Sequence, residues 1–312
     1  MKLRNMGKSG LRVSLIGLGC NNFGGRLDLE STRNVIHKAL DCGITLFDTS
    51  DTYGNRGGSE TAMGQILGDR RKDIVLASKF GMAMDEGEKK GASRRYIMAA
   101  VEASLKRLKT DWLDLYQVHR PDPLTPVEET LRALDDLVRA GKVRYIGCSN
   151  FSAAQVTEAQ LTARQLNLNA FVSCQDEYSL LVRDLDSERI PTMERYGLGL
   201  LPFYPLASGL LSGKYQRDVP IAGTRLAPGQ PFRDKFVTDA NWAGVEKLDA
   251  FAKARGHSLL ELAFSWLAAR PCVSSIIAGA TKPEQIDANV KAADWTLSAA
   301  DLAEIDRLTA KG

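Results

Sequence analysis

Short runs of apolar and β-branched residues recur along the chain, at 13–19, 45–50, 74–80, 113–119, 143–150, 171–177, 197–204 and 273–279. Most are nearly continuous rather than alternating, which suits strands covered on both faces of a parallel sheet. Amphipathic helical patterns lie between them. Segment 31–41 opens on Ser31 and Thr32 as a cap and puts Val35, Ala39 and Leu40 on one side. Segment 93–109 carries Ile97, Val101, Leu105 and Leu108 at helical spacing. Segment 126–140 is acidic at its start (Glu128, Glu129), basic near its end (Arg139) and stops at Gly141, matching the helix dipole and a glycine C-cap. Segments 152–166, 184–196 and 258–269 follow the same logic.

Eight strand–helix alternations predict an α/β fold of the (β/α)8 TIM-barrel type, formed by the whole chain, 1–312, as one domain. From the second strand to the seventh, successive starts are 29, 39, 30, 28 and 26 residues apart, one βα unit each. From the seventh to the eighth the gap is 76 residues. It begins with 205–233, rich in Gly, Pro, Ser and Arg, and predicts a long loop after strand seven on the C-terminal face, where barrels bind ligands. The first twelve residues turn at Gly7-Lys8-Ser9-Gly10 and predict an N-terminal β-hairpin that plugs the barrel bottom. The competing fold, an open doubly wound sheet, wants an early GxGxxG. Gly17-Leu18-Gly19 does not extend to it, because Gly24-Gly25 falls out of register.

Composition narrows the function classes. The 312 residues are 44% hydrophobic and 25% charged, so the chain can bury a core. Its 41 Lys+Arg and 38 Asp+Glu give a net charge of +3 with no basic stripe, against nucleic acid as a partner. The most apolar stretch, 198–211, is interrupted by Pro202, Pro205 and Gly209 and is too short to span a bilayer, and no secretory signal follows Met1. A cytoplasmic protein without a membrane partner is expected. The five cysteines (Cys20, Cys42, Cys148, Cys174, Cys272) have no CxxC spacing and read as small hydrophobes in a reducing compartment. Three histidines leave little material for a metal site, and none is expected.

Four polar residues fall where strands two to four end: Asp48, Tyr53, Lys79 and His119. Singly, each has an ordinary explanation: a turn Asp, a rim Tyr, a hydrogen-bonded His. A Lys closing an apolar strand is harder to place, because an inward ammonium needs a partner. Neighbouring strands converge, so the four share one patch. There Asp48 can neutralise Lys79, Lys79 can lower the pKa of Tyr53, and His119 can orient a carbonyl oxygen. The set can protonate an oxygen as it becomes an alkoxide. It offers no nucleophile and no metal, so a cofactor must deliver a hydride.

The chain resembles the aldo-keto reductase superfamily over nearly its whole length, in particular the branch that includes potassium-channel β-subunits. The matching pieces are Phe47-Asp48-Thr49 with Tyr53-Gly54, Ser59-Glu60, Gly64, Ser78-Lys79 and Gln117-Val118-His119. They continue through Gly147-Cys148-Ser149-Asn150-Phe151, Gln175 with Tyr178-Ser179, and Tyr204-Pro205-Leu206 to Gly209-Leu210-Leu211-Ser212-Gly213-Lys214-Tyr215. Gly279-Ala280-Thr281, Gln285 and Asn289 close the series. The resemblance implies a nicotinamide cofactor bound extended, with Asp48, Tyr53, Lys79 and His119 as the catalytic tetrad and Tyr53 as the general acid/base. It places Ser149, Asn150 and Gln175 on the carboxamide and Tyr204 against the nicotinamide. It further places Ser208, Gly209, Leu210, Ser212 and Lys214 along the pyrophosphate, adds Pro205, Leu206, Gly279 and Asn289 to the cofactor-binding residues, and leaves Thr281, Lys282 and Gln285 able to hydrogen-bond a phosphate. Arg225 is either an adenosine-phosphate contact or an exposed charge on the long loop. Where well-known members clamp a 2′-phosphate with Lys and Arg, this chain has Gly279 and Gln285. NADP(H) is favoured, with NAD(H) open.

The expected substrate is a small carbonyl compound or the matching alcohol, met by Asn22, Phe23 and Arg120, with Met82 to Met84, Pro121 and Asp122 nearby. Two alternatives stand. One is a non-catalytic cofactor-binding sensor or regulatory subunit. The other is a hydrolase using Glu60 and Asp122, for which the lysine–tyrosine pair has no use. No heptad run appears, so the sequence leaves the oligomeric state open.

Overall fold

The computed structural model describes residues 1–87, 89–217 and 219–309. A two-stranded antiparallel hairpin, β1 (Leu3–Asn5) and β2 (Arg12–Ser14), precedes eight parallel strands. These are β3 (Ile16–Gly19), β4 (Leu46–Asp48), β5 (Val75–Phe80), β6 (Leu113–Val118), β7 (Val143–Ser149), β8 (Ser173–Glu177), β9 (Gly199–Phe203) and β10 (Ile276–Gly279). They pair in the order β10-β3-β4-β5-β6-β7-β8-β9. A single parallel bridge between Leu200 and Val273 all but closes the ring, with Leu200 N donating to Cys272 O at 2.7 Å and Ser274 N to Leu200 O at 2.9 Å. This is the expected TIM barrel.

The strands are shorter than the apolar runs suggested, most of all at the first, second and last runs; the run at 45–50 contributes only Leu46–Asp48. The run at 13–19 divides, because residues 12–14 pair with β1 and only Ile16 onward joins the barrel. The run at 273–279 contributes four residues plus the bridging Val273.

Several helix starts are set by side-chain caps. Ser93 caps Arg94–Leu108, and Ser152 and Ser258 form capping boxes with Gln155 and Glu261. The first helix is Leu29–Asp41, one turn earlier in its cap than expected: Asp28, not Ser31, is the N-cap and accepts from Ser31 N at 2.7 Å. The helix expected at 184–196 forms only over Arg189–Tyr196, because Asp186 is taken by Arg183 and Tyr178 in a preceding turn. The gap between β9 and β10 holds the long loop, then helices Asp239–Lys253 and Leu259–Ala268. Pro283–Ala292 and Ala299–Leu308 follow β10.

The hairpin seals the bottom of the barrel. Met6, Leu11 and Val13 pack with Leu46, Ala77, Leu115, Leu201 and Ile277 from five strands. Gly7 makes this approach possible: at φ 55° its backbone lies so close that a Cβ would sit 2.2 Å from Gly197 O. A second, larger core fills the space between the strands and the surrounding helices. Among the described residues, no helix is long and apolar enough to cross a membrane.

Candidate active site

At the opposite end the strand termini deliver polar groups to one patch. Asp48 ends β4, Lys79 is the penultimate residue of β5, and His119 follows β6. Tyr53 stands after β4 on a left-handed turn running through Gly54, Asn55 and Arg56 (φ 67°, 61° and 66°). Three such residues in a row are unusual, and Gly54 is required: a Cβ there would lie 2.3 Å from Phe23 O.

Lys79 is fully buried and spends its ammonium protons on Asp48 Oδ2 at 2.7 Å, Thr49 O at 2.9 Å and the Tyr53 hydroxyl at 3.3 Å. An ammonium only donates, so the Tyr53 oxygen accepts and its own proton points away from Lys79. Asp48 Oδ1 accepts from Gln175 Nε2 at 2.8 Å and from Gln117 Nε2 at 3.4 Å. The carboxylate is thus held from both sides. The His119 ring meets Tyr53 edge-on, centroids 5.8 Å apart, and its Nδ1 lies 3.1 Å from Ser50 Oγ.

The protonation states follow from this burial. Desolvation pulls the Lys79 ammonium down, but Asp48 and Tyr53 outweigh it and hold the amine above its ordinary value. Burial pushes the Tyr53 phenol up, and the nearby Lys79 only partly offsets that. The expected net lowering is therefore corrected, since desolvation of a phenolate exceeds one ammonium's attraction here. Burial, then Lys79 and Arg120, depress His119 to about 3, so its ring is neutral near pH 7.

A cavity of about 770 Å³ opens over this patch and runs away from it across the C-terminal face. Asp48, Tyr53 and His119 form its floor together with Asn22, Ser149, Asn150 and Gln175. Tyr204, Pro205, Leu206, Ser208, Gly209, Ser212, Lys214 and Arg225 continue the wall, and Gly279, Thr281, Gln285 and Asn289 finish it. Arg120 stands exposed at the mouth, and Met82 lines the wall nearby. Lys79 lies beneath the floor. Asn150, Tyr204 and Ser208 all have positive φ (62°, 50° and 57°). Such backbone is costly for side chains other than glycine and gathers where a ligand is held.

Some residues sit elsewhere than expected. Phe23 is buried in the apolar core, not on the cavity wall, with its carbonyl close against Gly54. Leu210 is likewise buried, because the turn at Ala207–Ser212 directs it inward while Ser208, Gly209 and Ser212 face the cavity. Arg225 is no mobile surface charge: its guanidinium donates to Asn22 Oδ1 at 2.7 Å and Asn21 Oδ1 at 3.2 Å, fastening the long loop to the end of β3. Gln285 turns back on its own loop, accepting from Thr281 N at 2.7 Å. Glu60 is held by Ser78 Oγ at 2.5 Å and Arg107 Nε at 2.7 Å, and Asp122 staples its loop through Ala92 N and Thr125 Oγ1. Both carboxylates are structural, which removes the hydrolase reading. Wall residues not singled out from the sequence include Arg26, Tyr215, Phe232 and Lys235. Only Tyr215 had a signal, as the last residue of the Ser-Gly-Lys-Tyr motif.

Residues 15–310 match the profile described as the aldo/keto reductase family. The chain belongs to the aldo/keto reductase family. A rice (Oryza sativa subsp. japonica) protein named as a probable voltage-gated potassium channel subunit beta is 40% identical over 301 residues, covering 94% of this chain and 92% of the relative. The L-glyceraldehyde 3-phosphate reductase of Escherichia coli K12 is 36% identical, covering 100% of this chain and 93% of the relative. A Schizosaccharomyces pombe protein named as a putative channel subunit beta is 38% identical, covering 98% and 89%.

This aldo/keto reductase fits the nicotinamide cofactors its family uses. Ser208 Oγ and Tyr215 OH are buried without a hydrogen-bond partner where they border the cavity wall. Unpaired hydroxyls of this kind are costly unless a ligand's acceptor meets them. Beside them are Gly209 at φ 106° and the Lys214 ammonium, a combination suited to an anionic group.

Proposed function

We propose that the protein is an NADP(H)-dependent oxidoreductase that reduces aldehydes or ketones to alcohols, or runs the reverse. The observation that carries this is the Tyr53 hydroxyl, 3.3 Å from a buried Lys79 ion-paired to Asp48 and lining a cavity of about 770 Å³ that also takes in Ser208, Lys214 and Asn289. The name of the Escherichia coli relative supports the reductive direction.

A bound nicotinamide would supply the hydride to the carbonyl carbon. The chain supplies the rest. Ser208, Gly209, Ser212, Lys214 and Tyr215 would hold the pyrophosphate, Asn150 and Gln175 the carboxamide, with Tyr204 forming the wall beside it. Gly279, Thr281, Gln285 and Asn289 would meet the adenosine end. Neutral His119 would donate a hydrogen bond to the carbonyl oxygen through Nε2. Tyr53 then gives its proton to that oxygen as negative charge develops there, and Lys79 stabilises the phenolate left behind. Burial keeps the phenol protonated until the oxygen becomes basic enough to take the proton. Oxidation uses the same groups in reverse, with Lys79 favouring the phenolate that must accept the alcohol proton. Gly279 and Gln285 leave the 2′-phosphate without a fixed cation at those two positions, so discrimination against NADH is modest.

A second reading has its own support: the rice and fission-yeast relatives are named as channel subunits. In that reading the chain holds the cofactor without turnover. One experiment separates the two. Loss of reduced-nicotinamide absorbance is followed with a reactive aromatic aldehyde, with NADPH and NADH in parallel. Turnover that falls about 10³-fold or more in Tyr53→Phe supports the oxidoreductase. Tight cofactor binding with no turnover across a panel of aldehydes supports the subunit.

A further inference from the structure

Ser50 stands between His119 and a buried carboxyl that the proposed reaction does not touch. Its Oγ lies 3.1 Å from His119 Nδ1, 3.1 Å from Asp51 Oδ1 and 3.1 Å from Thr52 Oγ1, and it accepts from Thr52 N at 3.3 Å. A hydroxyl has one proton to give. Its recipient decides which His119 nitrogen is protonated, because in a neutral imidazole one nitrogen donates and the other accepts.

With Asp51 ionised, the carboxylate can only accept, and its charge-assisted bond outcompetes neutral ones. The Ser50 proton then goes to Asp51, Oγ offers His119 a lone pair, and the ring proton sits on Nδ1. Nε2, the nitrogen left for the cavity, is a bare acceptor. With Asp51 protonated on Oδ1, the carboxyl donates to Ser50 Oγ and the Ser50 proton turns to Nδ1. The ring proton then sits on Nε2. A carbonyl oxygen needs that donor, whereas an alcohol hydroxyl can be held by the bare nitrogen.

We propose that Asp51, acting through Ser50, is a positioning residue that sets the tautomer of His119, so that one solvent-derived proton on Asp51 switches the imidazole from acceptor to donor toward the substrate oxygen. The inference deepens the oxidoreductase reading and rests on it for its functional meaning. Its consequence is a pH bias on direction: carbonyl reduction is favoured with Asp51 protonated, alcohol binding with Asp51 ionised.

The surroundings place this switch in the working range. Asp51 is 1% exposed. Tyr96 and Arg107 face it from helix Arg94–Leu108, Glu60 from the helical segment after Tyr53, and Tyr116 from β6, while its own N–H donates to Lys79 O at 3.1 Å. Tyr96 OH donates to its Oδ2 at 3.4 Å. Burial and then the charge of Glu60 raise the Asp51 carboxyl to about 7, with Ser50 and Arg107 opposing. His119, depressed to about 3 by burial, Lys79 and Arg120, stays neutral on both sides of that value. The ring therefore changes tautomer without changing charge.

The test reads the ring nitrogens directly. The full chain, without cofactor, is labelled with ¹⁵N-histidine, and long-range proton–nitrogen spectra distinguish protonated from bare nitrogens. The three histidines give three signal sets, and His119→Asn assigns the relevant one. In the parent, Nε2 is expected to carry the proton below about pH 6 and Nδ1 above about pH 8, either side of the Asp51 value. Ser50→Ala and Asp51→Asn should each abolish that exchange while the signals of the other two histidines stay as in the parent. Ser50→Ala removes one oxygen and keeps every carboxylate, so it carries the test alone if Asp51→Asn does not fold. A flat His119 profile in the parent, an exchange that survives in Ser50→Ala, or a ring protonated on both nitrogens near pH 6 overturns the proposal. In turnover, kcat/KM for reduction should fall across the same interval in the parent and be flat in Ser50→Ala. The nitrogen spectra need no turnover, so an inactive protein would sink the oxidoreductase reading and leave the tautomer result standing.

Discussion

The two ends of the barrel are built on opposite terms. At the bottom, Met6, Leu11 and Val13 meet Leu46, Ala77 and Leu115, and the hairpin's polar groups are paired: Gly7 N with Ser274 Oγ at 3.1 Å, Lys8 N with Gly197 O at 2.8 Å. At the top, the same strands lead into a buried ion pair, a neutral imidazole, a carboxyl raised to about 7 and a set of side-chain-bearing residues at positive φ that includes Asn55, Arg56, Asn150, Tyr204 and Ser208. Two buried hydroxyls there lack partners. Strands β4, β5 and β6 thus each run from an apolar contact at the bottom (Leu46, Ala77, Leu115) to a polar group at the top (Asp48, Lys79, His119) within a few residues. The division teaches that the sealed bottom supports the polar top, since a fold is only marginally stable and uncompensated polar burial must be offset elsewhere.

Four changes break or sharpen that contrast. The largest effect is expected from Lys79→Met at the top. It leaves Asp48 buried with Gln175 and Gln117 but no cation, which costs about 3–5 kcal/mol in urea unfolding and lowers turnover by roughly 10³-fold. An unchanged unfolding midpoint would show that the contrast is overstated. Leu115→Ala at the bottom should cost about 2–4 kcal/mol of stability while leaving KM for the aldehyde within about two-fold. A large change in KM would mean that the ends are mechanically coupled.

Titration should distinguish the ends as well. Asp51, raised by burial and Glu60, contributes stability that is full below its ordinary value of about 3.9 and is lost as pH rises through about 7. His119, depressed by burial and then Lys79, contributes stability that is full above about 6.5 and is lost as pH falls toward 3. Between about pH 4.5 and 6.5 the two oppose each other. Asp51→Asn removes only the first, so its stability relative to the parent should rise by about 1–2 kcal/mol over that interval in urea unfolding. Leu115→Ala should differ from the parent by the same amount at both pH values. The smallest effect is expected from Lys214→Ala, which should raise the Kd for NADPH roughly five-fold in fluorescence titration without moving the unfolding midpoint. A shifted midpoint would show that Lys214 braces the loop rather than facing the phosphates.

Much of the framework was legible in the chain. Continuous apolar runs and their spacing gave eight strands, and the 76-residue gap located the long loop, because burial on both faces of a parallel sheet leaves a direct imprint on composition. The four polar strand ends were readable for the same reason: a Lys at the close of an apolar strand has few structural uses. The helix start at Asp28 was less so, since several residues near 28–31 can cap and packing selects among them. Phe23 and Leu210 show the other limit. Each is adjacent to wall residues, and only the local backbone decides which side chain faces inward.

The sequence by itself determined the barrel, the plugging hairpin and the family, since these rest on periodicity and on motifs whose order survives without coordinates. Only the tertiary structure decided the electrostatics. It made Tyr53 a harder acid to ionise than its lysine neighbour suggested, turned Arg225 from a loop charge into a latch, and joined Asp51 to His119 through Ser50. The physical reason is that a pKa or a shared proton depends on distances of about 3 Å and on depth from water. Those are properties of residues distant in the chain and adjacent in space.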